Sequence, residues 1–310
     1  MVAMDQSEIM KIISLINAQL HGKLSPSSMR NYQHGSVYVT RSKQIIGLCF
    51  DGISGRDLHH LTIDPQDFPN LIDLVIRTSS LRQLPSWIFE FHQIENLILK
   101  SLDLRQIGDI VSAFPNLSFL ALPNNQLRQL PDIHLLPFLS RLNLNHNHYE
   151  RLPDEIVESS KLVSLTMDHN YITDLPEEMR SVILQAVSLE NNQLSTFPAF
   201  LEHMPHLYSL NLSRNFLNSI PSWIGSYTNL QYLNLSSNRL RSVPTQISDL
   251  RKLRLLELQG NPSMDFPLSV LYGLDNLEVL DLRNSVDLPS KIDKIRAYQK
   301  LFDQSVVVKS

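Results

Sequence analysis

Between residues 115 and 262, apolar and polar positions follow a fixed order that returns every 22 or 23 residues. Leu117-x-x-Leu120-x-Leu122-x-x-Asn125 and Leu230-x-x-Leu233-x-Leu235-x-x-Asn238 are two instances. The Asn of this frame recurs at Asn125, Asn147, Asn170, Asn192, Asn215, Asn238 and Asn261, with gaps of 22, 23, 22, 23, 23 and 23. Each is followed six residues later by proline: Pro131, Pro153, Pro176, Pro198, Pro221, Pro244 and Pro267. The Leu-x-Leu alternation predicts a short strand with one buried face. A unit this small cannot bury its apolar side alone, so neighbours must stack into a parallel sheet over a shared core. The Asn amide both donates and accepts, and a ladder of them can satisfy the backbone where the chain turns out of each strand. Proline then opens a return segment on an extended or 3₁₀ path, where no ladder N–H is needed.

The frame extends outward in degraded form. Leu71-x-x-Leu74-x-Ile76-x-x-Ser79 has Ser at the Asn position, and Ile94-x-x-Leu97-x-Leu99-x-x-Leu102 has Leu there. These two breaks predict less regular turns in repeats two and three. A longer first repeat of 26 residues begins with Ile45-x-x-Leu48-x-Phe50, and Leu277-x-x-Leu280-x-Leu282 ends the series. Together these give about eleven repeats over residues 45–288.

The combined Leu-x-x-Leu-x-Leu-x-x-Asn and Leu-Pro registers resemble the leucine-rich repeat family in its typical 22–24-residue form. The resemblance implies an α/β fold: a leucine-rich repeat solenoid (horseshoe), with a parallel β-sheet on the concave face and short helical caps. It also implies a module that binds other proteins rather than an enzyme. Some bacterial members carry a ubiquitin-ligase domain with a catalytic Cys. The roughly 22 residues after the last repeat contain no Cys.

An open stack exposes apolar cross-sections that need caps. Residues 1–44 are expected to form the amino-terminal one. There Asp5-x-x-Glu8 opens a helix carrying Ile9, Ile12, Ile13, Ile16 and Leu20, and Val37–Val39 begins a hairpin into the first repeat. Residues 289–310 are expected to hold a capping helix and tail. Ile292, Ile295, Tyr298 and Leu301 lie on one face, and Lys291, Lys294, Arg296 and Lys300 on the other.

Composition narrows the function. Leucine makes up about one residue in six of 310, and the formal charge is −4. No global basic field invites nucleic acid. Cys49 is the single cysteine, so no internal disulfide can form and no thiolate cluster can hold zinc. No signal peptide and no 18-residue apolar run is visible. The expectation is a monomer of a reducing, cytoplasmic compartment (the host cytoplasm for a translocated effector), with no cofactor and no small-molecule substrate.

The polar positions of the frame are expected to line the concave face. The column between the last two Leu runs from Cys49, Val75, Ile98 and Ala121, through Asn143, Thr166, Ser188, Asn211 and Asn234, to Glu257 and Asp281. That is a gradient from apolar to polar to acidic. Partner-binding candidates are Arg77 with Lys100; Phe119; a group of Arg141, Asn145, His146, Asp168, His169, Glu190 and Arg214; and Tyr232. Aromatic residues and Arg in a polar setting are the usual anchors of protein interfaces. The expected function is protein recognition, either as a bacterial effector acting in a host cell or as an intracellular scaffold or regulatory subunit. A further alternative is a metal-dependent enzyme using His146, His169 and Asp168, since two imidazoles and a carboxylate form a known zinc set. No Walker A loop, Gly-x-Ser-x-Gly or His-Glu-x-x-His supports another enzyme class.

Overall fold

The computed structural model describes residues 45–77, 80–262, 264–285 and 307, with the backbone of 25–28, 36–39 and 308–309. The chain divides into two units, residues 1–148 and 149–310. The helical parts of both expected caps lie outside the described residues.

In the first unit the strands stand in chain order: β1 (Ser25–Ser28), β2 (Ser36–Val39), β3 (Ile45–Asp51), β4 (Asp73–Arg77), β5 (Asn96–Lys100), β6 (Phe119–Ala121) and β7 (Arg141–Asn143). β2 pairs antiparallel with β3, and from β3 onward every pairing in this unit is parallel. The second unit continues with β8 (Ser164–Thr166), β9 (Ala186–Ser188), β10 (Ser209–Asn211), β11 (Tyr232–Asn234), β12 (Leu255–Glu257), β13 (Val279–Asp281) and β14 (Val307–Lys309), all parallel. The register places equivalent frame positions opposite one another, as in Leu210↔Leu233 and Leu233↔Leu256.

The frame leucines form the core. Leu74, Leu97, Leu120 and Leu142 of the first unit, and Leu165, Val187, Leu210, Leu233, Leu256 and Leu280 of the second, are all buried. Each such side chain contributes about 1.5–3 kcal/mol of transfer free energy. Return segments begin at the frame prolines. Pro85, Pro198, Pro221, Pro244 and Pro267 each immediately precede a 3₁₀ turn, and Pro153 precedes the helix Asp154–Val157. Their fixed φ suits the first position, and the missing N–H is not needed there. Return segments pack closely: a Cβ on Gly273 would lie 2.0 Å from the Ser248 carbonyl oxygen.

The asparagine ladder forms as the frame predicts. Asn125 Nδ2 donates to the carbonyls of Leu99 (2.8 Å) and Leu122 (3.0 Å), and its Oδ1 accepts the N–H groups of Leu102 and Leu104. Asn192, Asn215, Asn238 and Asn261 repeat the pattern in the second unit. The residue before each ladder position turns through left-handed backbone: Asn124, His146, His169, Asn191, Arg214 and Ser237 have φ of 52–57°, and Gly260 has 72°. Repeats two and three are less regular, as expected, because extra left-handed residues follow at Ser80, Arg82 and Asp103.

Candidate functional site

Strand side chains that do not enter the leucine core form the first candidate surface. The apolar end of the expected gradient does not line an open face. Cys49, Val75 and Ala121 are buried, and Cys49 and Val75 pack together with Ile46 and Ile98 partly buried against them. In register Cys49 faces Val75 and Val75 faces Ile98, so neighbouring apolar side chains cover each other. The Cys49 thiol is thus removed from solvent.

Further along, part of the gradient serves the backbone. Asn143, Asn211 and Asn234 each accept, through Oδ1, the N–H two residues on, at 3.0–3.1 Å. These Asx turns end their strands. Asp281 does the same toward Arg283 at 3.3 Å and also holds the Arg283 guanidinium at 2.6 Å. That pairing raises the Arg283 pKa, first through the hydrogen bond and then through the carboxylate charge.

In the first unit, Arg77 lies opposite Lys100 at the ends of β4 and β5. Phe119 lies opposite Arg141, whose guanidinium carbon sits 4.7 Å from the ring centroid in a cation–π contact. Asn145 is half-buried at its Asx turn, and His146 is exposed at its left-handed position.

The second unit draws several candidates into one network. Asp168 is half-buried, and its Oδ1 accepts the Ser188 hydroxyl (2.5 Å) and the Glu190 N–H (2.8 Å). Desolvation dominates and raises the Asp168 pKa, against the lowering pull of those two hydrogen bonds. The Glu190 carboxylate adds to the rise, and His169 opposes it. Glu190 in turn accepts from Asn211 Nδ2 (3.1 Å) and pairs with Arg214 Nε (3.3 Å). Tyr232, 37% exposed, lies between Ser209 and Leu255, and the row continues through Val279 to the exposed Val307.

His169 turns elsewhere: its Nδ1 lies 2.8 Å from Asn191 Nδ2, which donates to it. Among the described residues no three His, Cys, Asp or Glu side chains are arranged to hold a metal ion. The expected set of His146, His169 and Asp168 is therefore not assembled there. The left-handed turn accounts for both histidines in that column, since among non-glycine residues Asn, Asp and His are enriched at positive φ.

The strand-face candidates omit a second surface. Two grooves of the first unit, of about 840 Å³ and 700 Å³, lie among the loops that leave the strands. The sequence signal is Leu-Arg-Gln recurring at Leu81, Leu104 and Leu127.

The leucine rich repeat family model matches residues 205–262. No curated protein is significantly similar to the chain. Among solved structures, the internalin InlF from Listeria monocytogenes is similar with a TM-score of 0.61 and 15% identity, over 96% of this chain and 93% of the internalin. The plant peptide hormone receptor RGFR1, solved in complex with RGF2, gives 0.56 and 21%, over 86% of this chain and 45% of the receptor. The ectodomain of the receptor kinase GASSHO1/SCHENGEN3 from Arabidopsis thaliana gives 0.55 and 24%, over 84% of this chain and 35% of that one. No helix among the described residues is long and apolar enough to cross a membrane. Repeat register, asparagine ladder, parallel strand stacking and family-model match together make this chain a leucine-rich repeat protein.

Proposed function

We propose that the chain is a non-catalytic protein-recognition module that binds its partner on the solvent side of its strands, with the principal contacts in the second unit. The observation that carries this reading is the linked set Asp168, Ser188, Glu190, Asn211 and Arg214, followed along the sheet by the Tyr232 row. Each member is held by another before any partner arrives. Binding then spends little on ordering side chains, a cost of about 0.5–1.5 kcal/mol for each one immobilised. Arg and Tyr are the residue types that most often anchor interfaces. Two of the similar receptors were solved with bound partners, which fits this use of the fold. The first unit contributes Arg77, Lys100, Phe119, Arg141, Asn145 and His146 as secondary contacts. The buried, single Cys49 suits a reducing compartment. There the module works as a translocated bacterial effector or as an intracellular scaffold.

Partner capture tests the site. The pair Arg214→Glu and Tyr232→Ala is expected to abolish capture of the protein retained by the native chain in affinity purification. Both residues are exposed, so the thermal transition should stay within about 4 °C. Undiminished capture by this variant would place the contact elsewhere.

A further inference from the structure

The grooves of the first unit are lined by a motif that recurs independently of the core frame. Arg82-Gln83, Arg105-Gln106 and Arg128-Gln129 follow one another at 23-residue spacing, and all six side chains are exposed. The two grooves share Arg105, Gln106 and Gln126, so they adjoin along the stacking direction. Successive loops are clamped by main-chain bonds, Arg82 N–H to Leu102 O (2.9 Å), Gln126 N–H to Leu104 O (2.8 Å) and His148 N–H to Leu127 O (2.9 Å). The arginines are therefore stepped at about the strand spacing of 4.8 Å. Asp103 is the one carboxylate in either lining, and among the described residues neither Arg82 nor Arg105 forms an ion pair. A chain of formal charge −4 thus concentrates positive charge in one trough.

We infer that this trough binds an extended acidic peptide segment of a partner protein, with carboxylates on Arg82, Arg105 and Arg128 and main chain on Gln83, Gln106 and Gln129. The guanidinium fork matches a carboxylate in bidentate fashion. Each Gln amide offers a donor and an acceptor, as a peptide main chain does; phosphate offers acceptors alone and would leave the Gln oxygens unmatched. Neither lining contains Phe, Tyr or Trp, the large rings on which single-stranded nucleic acid sites stack their bases; His59 and His148 supply one imidazole to each groove. Alternate side chains of an extended peptide recur about every 6.6 Å, and the long Arg side chains absorb the mismatch of about 2 Å per step. The fitting ligand therefore carries an acid at every second residue.

Fluorescence anisotropy with the full chain and a labelled (Ser-Glu)₅ peptide tests this. Saturable binding is expected, weakening about tenfold between about 50 and about 300 mM salt as exposed charges are screened. Arg82→Gln, Arg105→Gln and Arg128→Gln combined should weaken it by about tenfold or more, consistent with three exposed ion pairs. The combination Gln83→Ala, Gln106→Ala and Gln129→Ala should weaken it several-fold. All these residues are exposed, and circular dichroism verifies that the variants fold. The pair Arg214→Glu and Tyr232→Ala should bind the peptide like the native chain, so this inference and the strand-face reading fail separately. Absence of peptide binding, indifference to the arginine substitutions, or equally tight binding of a ten-nucleotide oligothymidylate would each overturn the inference.

Discussion

Asp168 shows how a single residue carries both a cost and a role. Burial raises its pKa, so at a pH between the ordinary and the raised value the folded chain holds a proton there that the unfolded chain has released. A group with a raised acid pKa stabilises the fold least when it is charged. Its contribution therefore falls as pH rises from the ordinary 3.8 through the raised value. Asp168→Asn keeps an acceptor for the Ser188 hydroxyl and the Glu190 N–H while removing the charge. Equal or higher stability at neutral pH is expected, with a flatter profile on the acid side. Urea midpoints measured between about pH 4 and about pH 7 check this. A lower midpoint for the variant at neutral pH would mean that the charge is stabilising.

At the scale of the element, the strand-to-loop turn is built by two neighbouring residues with different tasks. One adopts left-handed backbone, whether Asn, His, Arg, Ser or Gly stands there. The next is the ladder Asn, whose Oδ1 takes an N–H and whose Nδ2 reaches carbonyls in its own and the preceding repeat. For Asn192 these partners are Ile172 N–H and the carbonyls of Met167, Leu189 and Glu190. Asn192→Ala strands a buried donor and buried acceptors, at an expected cost of about 2–4 kcal/mol read from urea denaturation. A cost under about 0.5 kcal/mol would mean that water replaces the ladder freely. Repeats two and three lack Asn at Ser79 and Leu102, and there the turn takes additional left-handed residues at Ser80, Arg82 and Asp103.

At the scale of the whole molecule, repeats within each unit pair with their sequence neighbours, and the stability of each unit is expected to behave as a sum of such nearest-neighbour terms. The damage from Asn192→Ala should then remain local. Hydrogen exchange is expected to accelerate between residues 164 and 215, around the ladder bonds of that repeat, while amides of the first unit keep their protection. Uniform acceleration through both units would contradict this. Charge is also organised locally. The net value of −4 conceals an arginine trough in the first unit and a balanced ionic network in the second.

Amino-acid order alone was enough for the repeat length, the strand positions, the ladder asparagines and the proline-led return segments. Each is repeated many times, and each depends on contacts with the residue one repeat away, so periodicity encodes them directly. It also placed Asp168, Glu190 and Arg214 in one group of candidates with Arg141, Asn145, His146 and His169. What it could not decide was which polar or apolar column stays free. Cys49 and Val75 occupy outward positions yet are buried by each other, and Asn143, Asn211 and Asn234 spend their oxygens on their own turns. His169 meets Asn191 instead of a metal set, because the left-handed turn aims the side chain. Exposure, pairing and groove depth arise from side chains one repeat apart meeting in space. The spacing announces that they meet, but only the packed structure shows which of their surfaces remains for a partner.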